Sequence, residues 1–306
     1  MRRLCRRRPS HLTVTDHARP AQHGFRRMWR TSVAERLRIM ELDMTGDRPD
    51  AEETAVGAPG PDRRSGVTAG DAVREFALTA IALMTTVVMV AMVFGSRWMV
   101  PQSPVRVGML IISVAIAVLL ITLIRSPWGR RSGGHMNPMV TLGLWLMGAF
   151  PGRHVLPYVV AQGLGSIAGT ALAALALGPL AGRVEFGTVT AAPTWNAGAV
   201  FTCEVVGGIA MTLLAGYFLA HPRYAPLLPF AIAVSVAALI VGLGPLSGGA
   251  VNPARQLGPA VLSGTGHFLW IYLLAPAVGA VLGAAAHRLL VRRSLSTHRL
   301  CGVDPA

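Results

Sequence analysis

The amino-acid sequence predicts an all-α polytopic membrane protein, with six transmembrane helices and two re-entrant half-helices arranged as an inverted 3+3 repeat. Hydrophobic residues make up 52% of the 306 residues and charged residues only 14%, which is typical of membrane proteins. Predominantly apolar stretches of about 20 residues, the length that a helix needs to cross a bilayer, recur along the chain. A twelve-residue motif also occurs twice, which indicates an internal repeat.

Six apolar stretches are long enough to cross a membrane as helices. They are Val73–Phe94, Val105–Ile124, Val155–Leu177, Ala197–Ala220, Pro226–Leu243 and His267–Leu290. Two further apolar stretches, Asn137–Met147 and Asn252–Leu262, are about half as long, and each begins with Asn-Pro. The order is therefore two spans, a half-helix and a third span, followed by the same order again.

The repeated motif covers residues 132–143 and 247–258, and seven of its twelve positions are identical. The first span of each copy also contains a glutamate, Glu75 in one and Glu204 in the other. Each copy has three spans, which is an odd number. The second copy must therefore have the opposite orientation in the membrane.

The spans and the charges divide the chain into parts. We expect a disordered, Arg-rich N-terminal tail at 1–70, a membrane domain at 71–292 with repeats at 71–180 and 195–292, and a C-terminal tail at 293–306. Of the 28 basic residues, 14 lie in the N-terminal tail. Arginines in the short loops lie mainly on the same side, so the positive-inside rule places both termini of this multi-pass protein in the cytoplasm, at the cell membrane. This topogenic role accounts for the net charge of +14, and we expect no nucleic-acid partner.

Neither the composition nor the motifs indicate an enzyme. The three cysteines, Cys5, Cys203 and Cys301, are far apart and show neither a disulfide framework nor metal-ligand spacing. No nucleophile with a neighbouring base, metal cluster or phosphate-binding loop is recognisable. We therefore expect no catalytic residues, no metal and no cofactor.

The two Asn-Pro elements predict a cavity at the centre of the fold. Asparagine is a strong helix N-cap, proline suits the first helical position, and the preceding glycines let the chain turn back. Re-entrant backbone inside a membrane must be buried in protein or line water. In an inverted repeat both half-helix N-termini meet near the midplane, each with roughly half a positive charge. This charge would repel cations, whereas the Asn137 and Asn252 amides can donate hydrogen bonds to an uncharged molecule.

These features resemble the aquaporin and aquaglyceroporin family, the major intrinsic proteins, over about residues 72–290. The resemblance rests on the two Asn-Pro boxes, the glutamate in the first span of each half, and Arg255 after the second box. It implies six tilted helices and two half-helices, a homotetramer with one pore in each subunit, and passive permeation in both directions. The implied partners are small neutral solutes, water and the lipid bilayer, while protons and ions are excluded.

The family's two boxes correspond to Asn137-Pro138-Met139 and Asn252-Pro253-Ala254. The second box matches the family in full, whereas Met139 stands where alanine is usual. Methionine is larger and flexible. We therefore expect Met139 to press on the contact between the half-helices and to alter the pore width at the midplane.

The resemblance also implies a selectivity filter, which counting from the boxes assigns to Ala117, Ile240, Gly249 and Arg255. Water-selective members of the family place an aromatic residue and a histidine in this ring, and neither is present in this set. The ring should therefore be wider, with an apolar wall and the Arg255 guanidinium to orient a solute. The set resembles that of nodulin-like plant channels, which implies glycerol-like polyols, urea or metalloid acids as solutes.

Glu75, Glu204 and His135 each allow two interpretations. Carboxylates inside a membrane indicate a proton relay by default. The matching glutamates of the family instead hold backbone N–H groups of the re-entrant loops, and we favour this loop-supporting role for Glu75 and Glu204. We likewise expect His135 to fix its loop at the inner vestibule rather than to act as a pH gate.

Three alternatives to a channel for small neutral solutes stay open. An ion- or proton-coupled secondary transporter can also have inverted repeats and broken helices, but it needs an ionisable group in its substrate pathway. A water-selective aquaporin would have a narrower filter. A non-conducting membrane scaffold, plugged by Met139, is the third alternative.

Overall fold

The computed structural model describes residues 67–95, 105–291 and 293–302, and all regular structure within these ranges is helical. The predicted fold class is therefore confirmed. The α-helices of the described ranges are α1 (Ala69–Val90), α2 (Val105–Arg125), α3 (Pro127–Ser132), α4 (Pro138–Leu146), α5 (Val155–Leu177), α6 (Pro179–Arg183), α7 (Ala197–Leu219), α8 (Leu228–Leu243), α9 (Pro253–Ser263) and α10 (Leu269–Leu290). Most of the predicted N-terminal tail, 1–70, lies outside the described residues.

Six of these helices are long and apolar enough to cross a membrane, as predicted. Together with the short turns that continue them, they cover Ala69–Gly95, Val105–Arg125, Gly152–Leu177, Ala197–Leu219, Ala225–Leu243 and Leu269–Leu290. Six is an even number, so the chain enters and leaves the bundle at the same face. We call this side, where α1 begins and α10 ends, the terminal face, and the other side the opposite face.

Helix α1 begins at Ala69, before the predicted start at Val73. A capping box explains the earlier start, because the backbone N–H and the hydroxyl of Thr68 both donate to Asp71 Oδ2, at 2.8 and 2.9 Å. Asp71 Oδ1 also accepts from Arg74 at 2.7 Å. The two charges therefore neutralise each other and allow this polar turn to precede the apolar span.

The two repeats pack together with inverted symmetry. Helix α1 packs on α5 in repeat one, α7 packs on α10 in repeat two, and α2 packs on α8 between the repeats. The half-helices cross over, because α4 contacts α10 and α9 contacts α5. Glycines permit the closest approaches: a Cβ at Gly165 would collide with the Phe76 carbonyl oxygen, and one at Gly279 would lie 2.6 Å from that of Val205. The repeats are therefore interlocked, and each half-helix is held by a span of the other repeat.

The chain that follows α10 returns to the bundle. Residues 293–302, which the sequence reading assigned to a C-terminal tail at 293–306, lie against the terminal face, and residues 297–301 are buried there. The backbone N–H of Ser296 donates to the carbonyl oxygen of Leu219, the last residue of α7, at 3.0 Å. This segment is therefore part of the packed structure.

Candidate functional site

Both re-entrant loops turn back through the same backbone conformation. The glycine pairs 133–134 and 248–249 all have positive φ, between 57° and 107°, a region that glycine adopts without steric cost. Met136 and Val251, which occupy equivalent positions three residues after the first glycine, also have positive φ, at 48° and 43°. Left-handed conformation at non-glycine residues persists only where surrounding contacts hold it. The contacts that do so come from two buried carboxylates.

Glu75 of α1 is fully buried and binds the first loop through four donors. Its Oε1 accepts from the Ser132 hydroxyl at 2.7 Å and from the His135 backbone N–H at 3.0 Å. Its Oε2 accepts from the Met136 backbone N–H at 2.7 Å and from Gln162 Nε2 at 2.9 Å. An ionised carboxylate can only accept hydrogen bonds, so a ring of donors suits it. These are the contacts of a loop-supporting residue.

Glu204 of α7 binds the second loop in the same way. Its Oε1 accepts from the Ser247 hydroxyl at 3.1 Å and from the Ala250 backbone N–H at 3.2 Å, and its Oε2 accepts from the Val251 backbone N–H at 2.6 Å. Glu204 is fully buried as well, and neither glutamate is among the residues that line the central cavity described below. Both carboxylates are therefore occupied by the protein's own N–H and O–H groups.

Two buried tyrosines complete the loop supports, and the sequence reading missed them. The Tyr158 hydroxyl donates to the Ser132 carbonyl oxygen at 2.7 Å, and the Tyr272 hydroxyl donates to that of Ser247, also at 2.7 Å. A signal was present in the sequence, since each tyrosine follows the asparagine of its repeat by 20 or 21 residues. It lies outside the twelve-residue motif and is recognisable only when the whole repeats are aligned.

The side chains of Asn137 and Asn252 cap the two half-helices and also link their N-termini by hydrogen bonds. Asn137 Nδ2 donates to the Val251 carbonyl oxygen, and Asn252 Nδ2 donates to that of Met136, both at 3.1 Å. Each Oδ1 accepts from the backbone N–H two residues later at 2.9 Å and so caps its helix. An amide nitrogen carries two hydrogens. One is used across the contact, and the second can be donated to a molecule in the cavity that both asparagines line.

Met139 does not lie in the wall of this cavity. Its side chain is 1% exposed, and its sulfur accepts a hydrogen bond from the Thr212 hydroxyl of α7 at 3.5 Å. It lines a separate apolar groove, with Leu142 of α4 and Val159 of α5 among its neighbours. The expectation that Met139 alters the pore width is thereby corrected, because the first turn of α4 directs this side chain away from the lumen.

The cavity between the repeats has a volume of about 340 Å³. Residues of α1, α2 and α8 form most of its apolar wall, while both re-entrant loops contribute backbone and asparagine groups. Phe94 and residues 187–190 line its end toward the opposite face, and Leu300 lines it together with the first loop. An apolar cavity with a few polar groups is the usual form of a site for a small molecule.

Three of the four predicted filter residues line the cavity together: Ile240, Gly249 and Arg255. Ala117 is not in the cavity wall, whereas the preceding residue, Ile116, is. Successive residues of a helix point about 100° apart, so a one-residue error in register turns the side chain out of the lumen. The prediction of Ala117 is therefore corrected: the α2 residue that faces the cavity at this level is Ile116, and Ile240 packs against the apolar cluster that contains it.

Arg255 supplies the charge of this ring. Its Nη1 is buried, and within the described residues it has no hydrogen-bond partner. The neighbouring Gln256 side chain fixes the adjacent wall, because it accepts from the Val189 backbone N–H and donates to the Val189 carbonyl oxygen, both at 2.9 Å. A buried guanidinium donor without a partner is costly to the protein unless something in the cavity accepts its hydrogen bond.

The backbone structure also requires a glycine at position 249. Its φ is +57°, and a Cβ at this position would lie 2.7 Å from the Leu239 carbonyl oxygen. Any side chain here would be strained and would also displace the backbone of α8. Gly249 therefore leaves the ring open on this side while the loop keeps its close contact with α8.

His135 connects the first re-entrant loop to helix α4 and to the chain segment that follows α10. Its Nδ1 lies 3.1 Å from the Thr141 hydroxyl, and its Nε2 lies 3.1 Å from the His298 carbonyl oxygen. The ring is 3% exposed and packs edge-on against Phe150 at 5.1 Å between centroids. Because His135 also lines the cavity, it lies where the first loop, the lumen and the C-terminal segment meet.

These observations define a class of protein: a bundle of six membrane-spanning helices around a cavity into which two half-helix N-termini point. The family model of the major intrinsic proteins matches residues 72–287. The chain therefore belongs to the major intrinsic protein family. It is a membrane channel for the passive passage of small solutes or water and not an enzyme.

Curated relatives support this assignment. The chain is similar to Probable aquaporin AqpM of Archaeoglobus fulgidus, with 36% identity over 190 residues, or 59% of this chain and 74% of the relative. It is 31% identical to Probable aquaporin NIP7-1 of Arabidopsis thaliana over 185 residues, which cover 60% of this chain and 65%, slightly less than two thirds, of that relative. The propanediol uptake facilitator PduF of Citrobacter freundii is 34% identical over 211 residues, covering 56% of this chain and 76% of PduF.

A solved structure has the same fold. The X-ray structure of the aquaglyceroporin from Plasmodium falciparum superposes with a TM-score of 0.62. The match covers 73% of this chain and 97% of that chain at 19% sequence identity. At this identity the likeness concerns the arrangement of helices and not the solute.

Proposed function

We propose that the protein is a channel for small uncharged solutes, namely glycerol-like polyols, urea or metalloid acids, which also passes water and excludes protons and ions. The observation that carries this proposal is the buried Arg255 Nη1, which has no hydrogen-bond partner among the described residues and lies in a cavity wall that also contains Ile116, Ile240 and Gly249. A hydroxyl or carbonyl oxygen of a solute would accept from Arg255, while its carbon atoms would contact the two isoleucines. The name of one relative, a propanediol uptake facilitator, supports a diol-sized solute.

Exclusion of cations follows from the same wall. The N-termini of α4 and α9 point into the cavity, each with roughly half a positive charge, and Arg255 adds a full charge. Each box asparagine can donate one hydrogen bond to a permeating oxygen, but its Oδ1 is already occupied by the helix cap. Neutral molecules with oxygen acceptors are therefore favoured over hydronium and metal ions.

The alternatives have less support from the lining residues. Of the ionisable residues in the described part of the chain, the cavity wall contains His135 and Arg255, and the two intramembrane glutamates are occupied by donors. A coupled transporter would need a titratable group that is free to exchange a proton with the solute path, whereas both ring nitrogens of His135 lie within hydrogen-bond distance of Thr141 and of the His298 carbonyl oxygen. The one aromatic side chain among the lining residues, Phe94, packs over Gly108, about two helical turns before Ile116 on α2. It is therefore too far toward the opposite face to narrow the filter as a water-selective ring would.

We further propose the arrangement of the protein in the cell. The terminal face would be cytoplasmic because the Arg-rich loops lie there, and the protein would form a homotetramer in the cell membrane. Many large apolar side chains on the outside of the bundle are exposed, among them Leu175 at 82% and Val234 at 67%. Contact with lipid and with neighbouring subunits would cover them. Chemical cross-linking in native membranes would show whether four subunits associate.

Stopped-flow light scattering on proteoliposomes tests the proposed solute class. We expect vesicles that shrink in hyperosmotic glycerol or urea to swell again without any ion gradient, and vesicles in sucrose to stay shrunken. Ile240→Trp should reduce glycerol flux by roughly tenfold or more, because an indole would fill the ring. Val241→Trp is the matched control, since Val241 is 42% exposed on the outside of the same helix. Flux only with a proton or sodium gradient would instead support a coupled transporter, and water flux without glycerol flux a water-selective pore.

The register of α2 has its own test. In a background where Cys5, Cys203 and Cys301 are serine, Ile116→Cys should place a thiol in the lumen, whereas Ala117→Cys should not. A small anionic methanethiosulfonate reagent, which the positive filter attracts, should block glycerol flux through the Ile116→Cys channel and leave the Ala117→Cys channel open. Block of the second variant alone would restore the register predicted from the sequence.

A further inference from the structure

The chain beyond α10 forms what we call the C-terminal strap, residues 294–302, and it is bound to three parts of the terminal face. The backbone N–H and the hydroxyl of Ser296 both donate to the Leu219 carbonyl oxygen at the end of α7, at 3.0 and 2.7 Å. The Leu300 N–H donates to the Gly133 carbonyl oxygen of the first re-entrant loop at 2.9 Å. Gly302, with φ of +76°, lies against the backbone of Ala225 between α7 and α8 and has no room for a side chain.

The strap is buried where it crosses the mouth of the cavity. Ser294 is exposed, but every residue from 297 to 301 is less than 10% exposed, and Leu300 is 2% exposed. Leu300 and Cys301 belong to the same apolar core as Ile124 of α2 and Ile232 of α8. A polar, arginine-containing segment that follows the last helix of a bundle is ordinarily solvated. The burial of five consecutive residues therefore indicates that the strap binds at a specific site, which we call its seat.

The seat of the strap lies along the path that a solute would take through the cavity. Leu300 lines the cavity together with Gly134, His135 and Asn137, the residues of the first loop that lead to its half-helix. His135 Nε2, which also faces this region, lies 3.1 Å from the His298 carbonyl oxygen. An isobutyl side chain at the entrance offers no hydrogen bond to a polar solute, and apolar constrictions close pores by excluding water.

We propose that the C-terminal strap is an autoinhibitory plug: Leu300 closes the terminal-face mouth of the channel, and release of residues 294–302 opens it. The proposal rests on the channel function proposed above and adds its regulation. Release breaks the hydrogen bonds that Ser296, His298 and Leu300 make to the bundle, whereas the hydrogen bonds of Glu75 and Glu204 to the two loops do not involve the strap. The transition is therefore an order–disorder change of one terminal segment, which a partner or a change in charge can shift.

Flux measurements on strap variants test the plug. Glycerol permeation should rise several-fold when residues 293–306 are deleted, and also in Leu300→Asp, because a carboxylate is expelled from the apolar seat. Ser294→Asp introduces the same group at an exposed position of the strap and should leave flux unchanged. Equal flux in the full-length, Leu300→Asp and truncated proteins would overturn the proposal.

The thiol of Cys301 gives a second readout that does not depend on the solute. Cys301 is 6% exposed, so in a Cys5→Ser, Cys203→Ser background a maleimide should label the folded channel much more slowly than the unfolded chain. Once attached, the bulky adduct should prevent the strap from returning and should raise glycerol flux permanently. Cys301→Ser should show no response to maleimide.

The two proposals fail in different ways. Absence of flux from every variant, with Cys301 still protected, would contradict the proposed solute class and support the seated strap. Glycerol flux with rapid labelling of Cys301, at a rate that matches the unfolded chain, would support the channel and overturn the plug. Loss of fold in the truncated protein would be recognised by its melting temperature, and Leu300→Asp and the maleimide adduct would then decide.

Discussion

Glu75→Gln should lower the free energy of unfolding by roughly 2–4 kcal/mol, through one lost charge-assisted hydrogen bond and one buried N–H left without an acceptor. The native carboxylate accepts backbone N–H groups on both oxygens, that of His135 on Oε1 and that of Met136 on Oε2. A glutamine must place its own NH₂ group against one of them in either orientation. Met136 would then no longer be held in its left-handed conformation. The position of Asn137, which caps α4, would be lost as a result.

Thermal unfolding of the purified protein in detergent would measure this loss, and glycerol flux should disappear together with the fold. Glu185→Gln is the matched control, because it makes the same chemical change at an exposed glutamate and should leave the melting temperature unchanged. Glu204→Gln should behave as Glu75→Gln does, since Ala250 and Val251 occupy its two oxygens. A stable Glu75→Gln channel with altered proton flux would contradict the structural role and favour a proton relay.

Much of the fold and of the site's backbone could be predicted from the sequence, because duplication displays the same physical requirement twice. A single Asn-Pro pair is weak evidence, but two copies with glycines before them and a glutamate in each first span leave few alternatives to paired half-helices. The structure adds the reason for the pairing. Each asparagine donates to the carbonyl oxygen of the residue that precedes the other asparagine, so neither loop is complete without its copy.

Side-chain directions could not be predicted in the same way. Whether position 116 or 117 of α2 faces the lumen depends on the rotation of the helix about its axis, and a span that is apolar on all sides carries no pattern to reveal it. Met139 illustrates the same limit, since its sequence position adjoins the pore while its side chain packs toward Thr212. The packing of the strap on the bundle could not be predicted, because its composition is polar and because its partners, among them Gly133 and Leu219, are distant in sequence.

Acidification should open the channel if the strap is the plug, because His298 is held uncharged in the seated state. Burial, together with the neighbouring charges of His135 and Arg299, lowers the pKa of His298 from the ordinary value of 6.5 to about 2. Its Nε2 is buried and has no hydrogen-bond partner within the described residues, and its ring packs against Phe150 at 5.5 Å. The other ionisable groups nearby are Glu75, His154 and Tyr158, which adjoin His135 and Phe150.

The sign follows from the two states of the strap. A released strap binds a proton on His298 below about pH 6.5, whereas a seated strap does not until about pH 2. Seating is therefore strongest above pH 6.5 and weakens as the pH falls from 6.5 toward 2, by about 30-fold at pH 5 in the ratio of seated to released strap. Glycerol flux through the full-length channel should rise correspondingly between pH 7.5 and pH 5.

Two variants test whether His298 is the group responsible for the pH dependence of glycerol flux. His298→Gln keeps a polar side chain of similar size without a proton to gain, and its flux should be independent of pH in this range. The channel without residues 293–306 should be open at every pH. An acid response that survives in His298→Gln but disappears on truncation would transfer the sensing role to His135, whose Nε2 meets the strap at the His298 carbonyl oxygen. A response that survives truncation would place pH sensitivity in the pore itself and would separate it from the strap altogether.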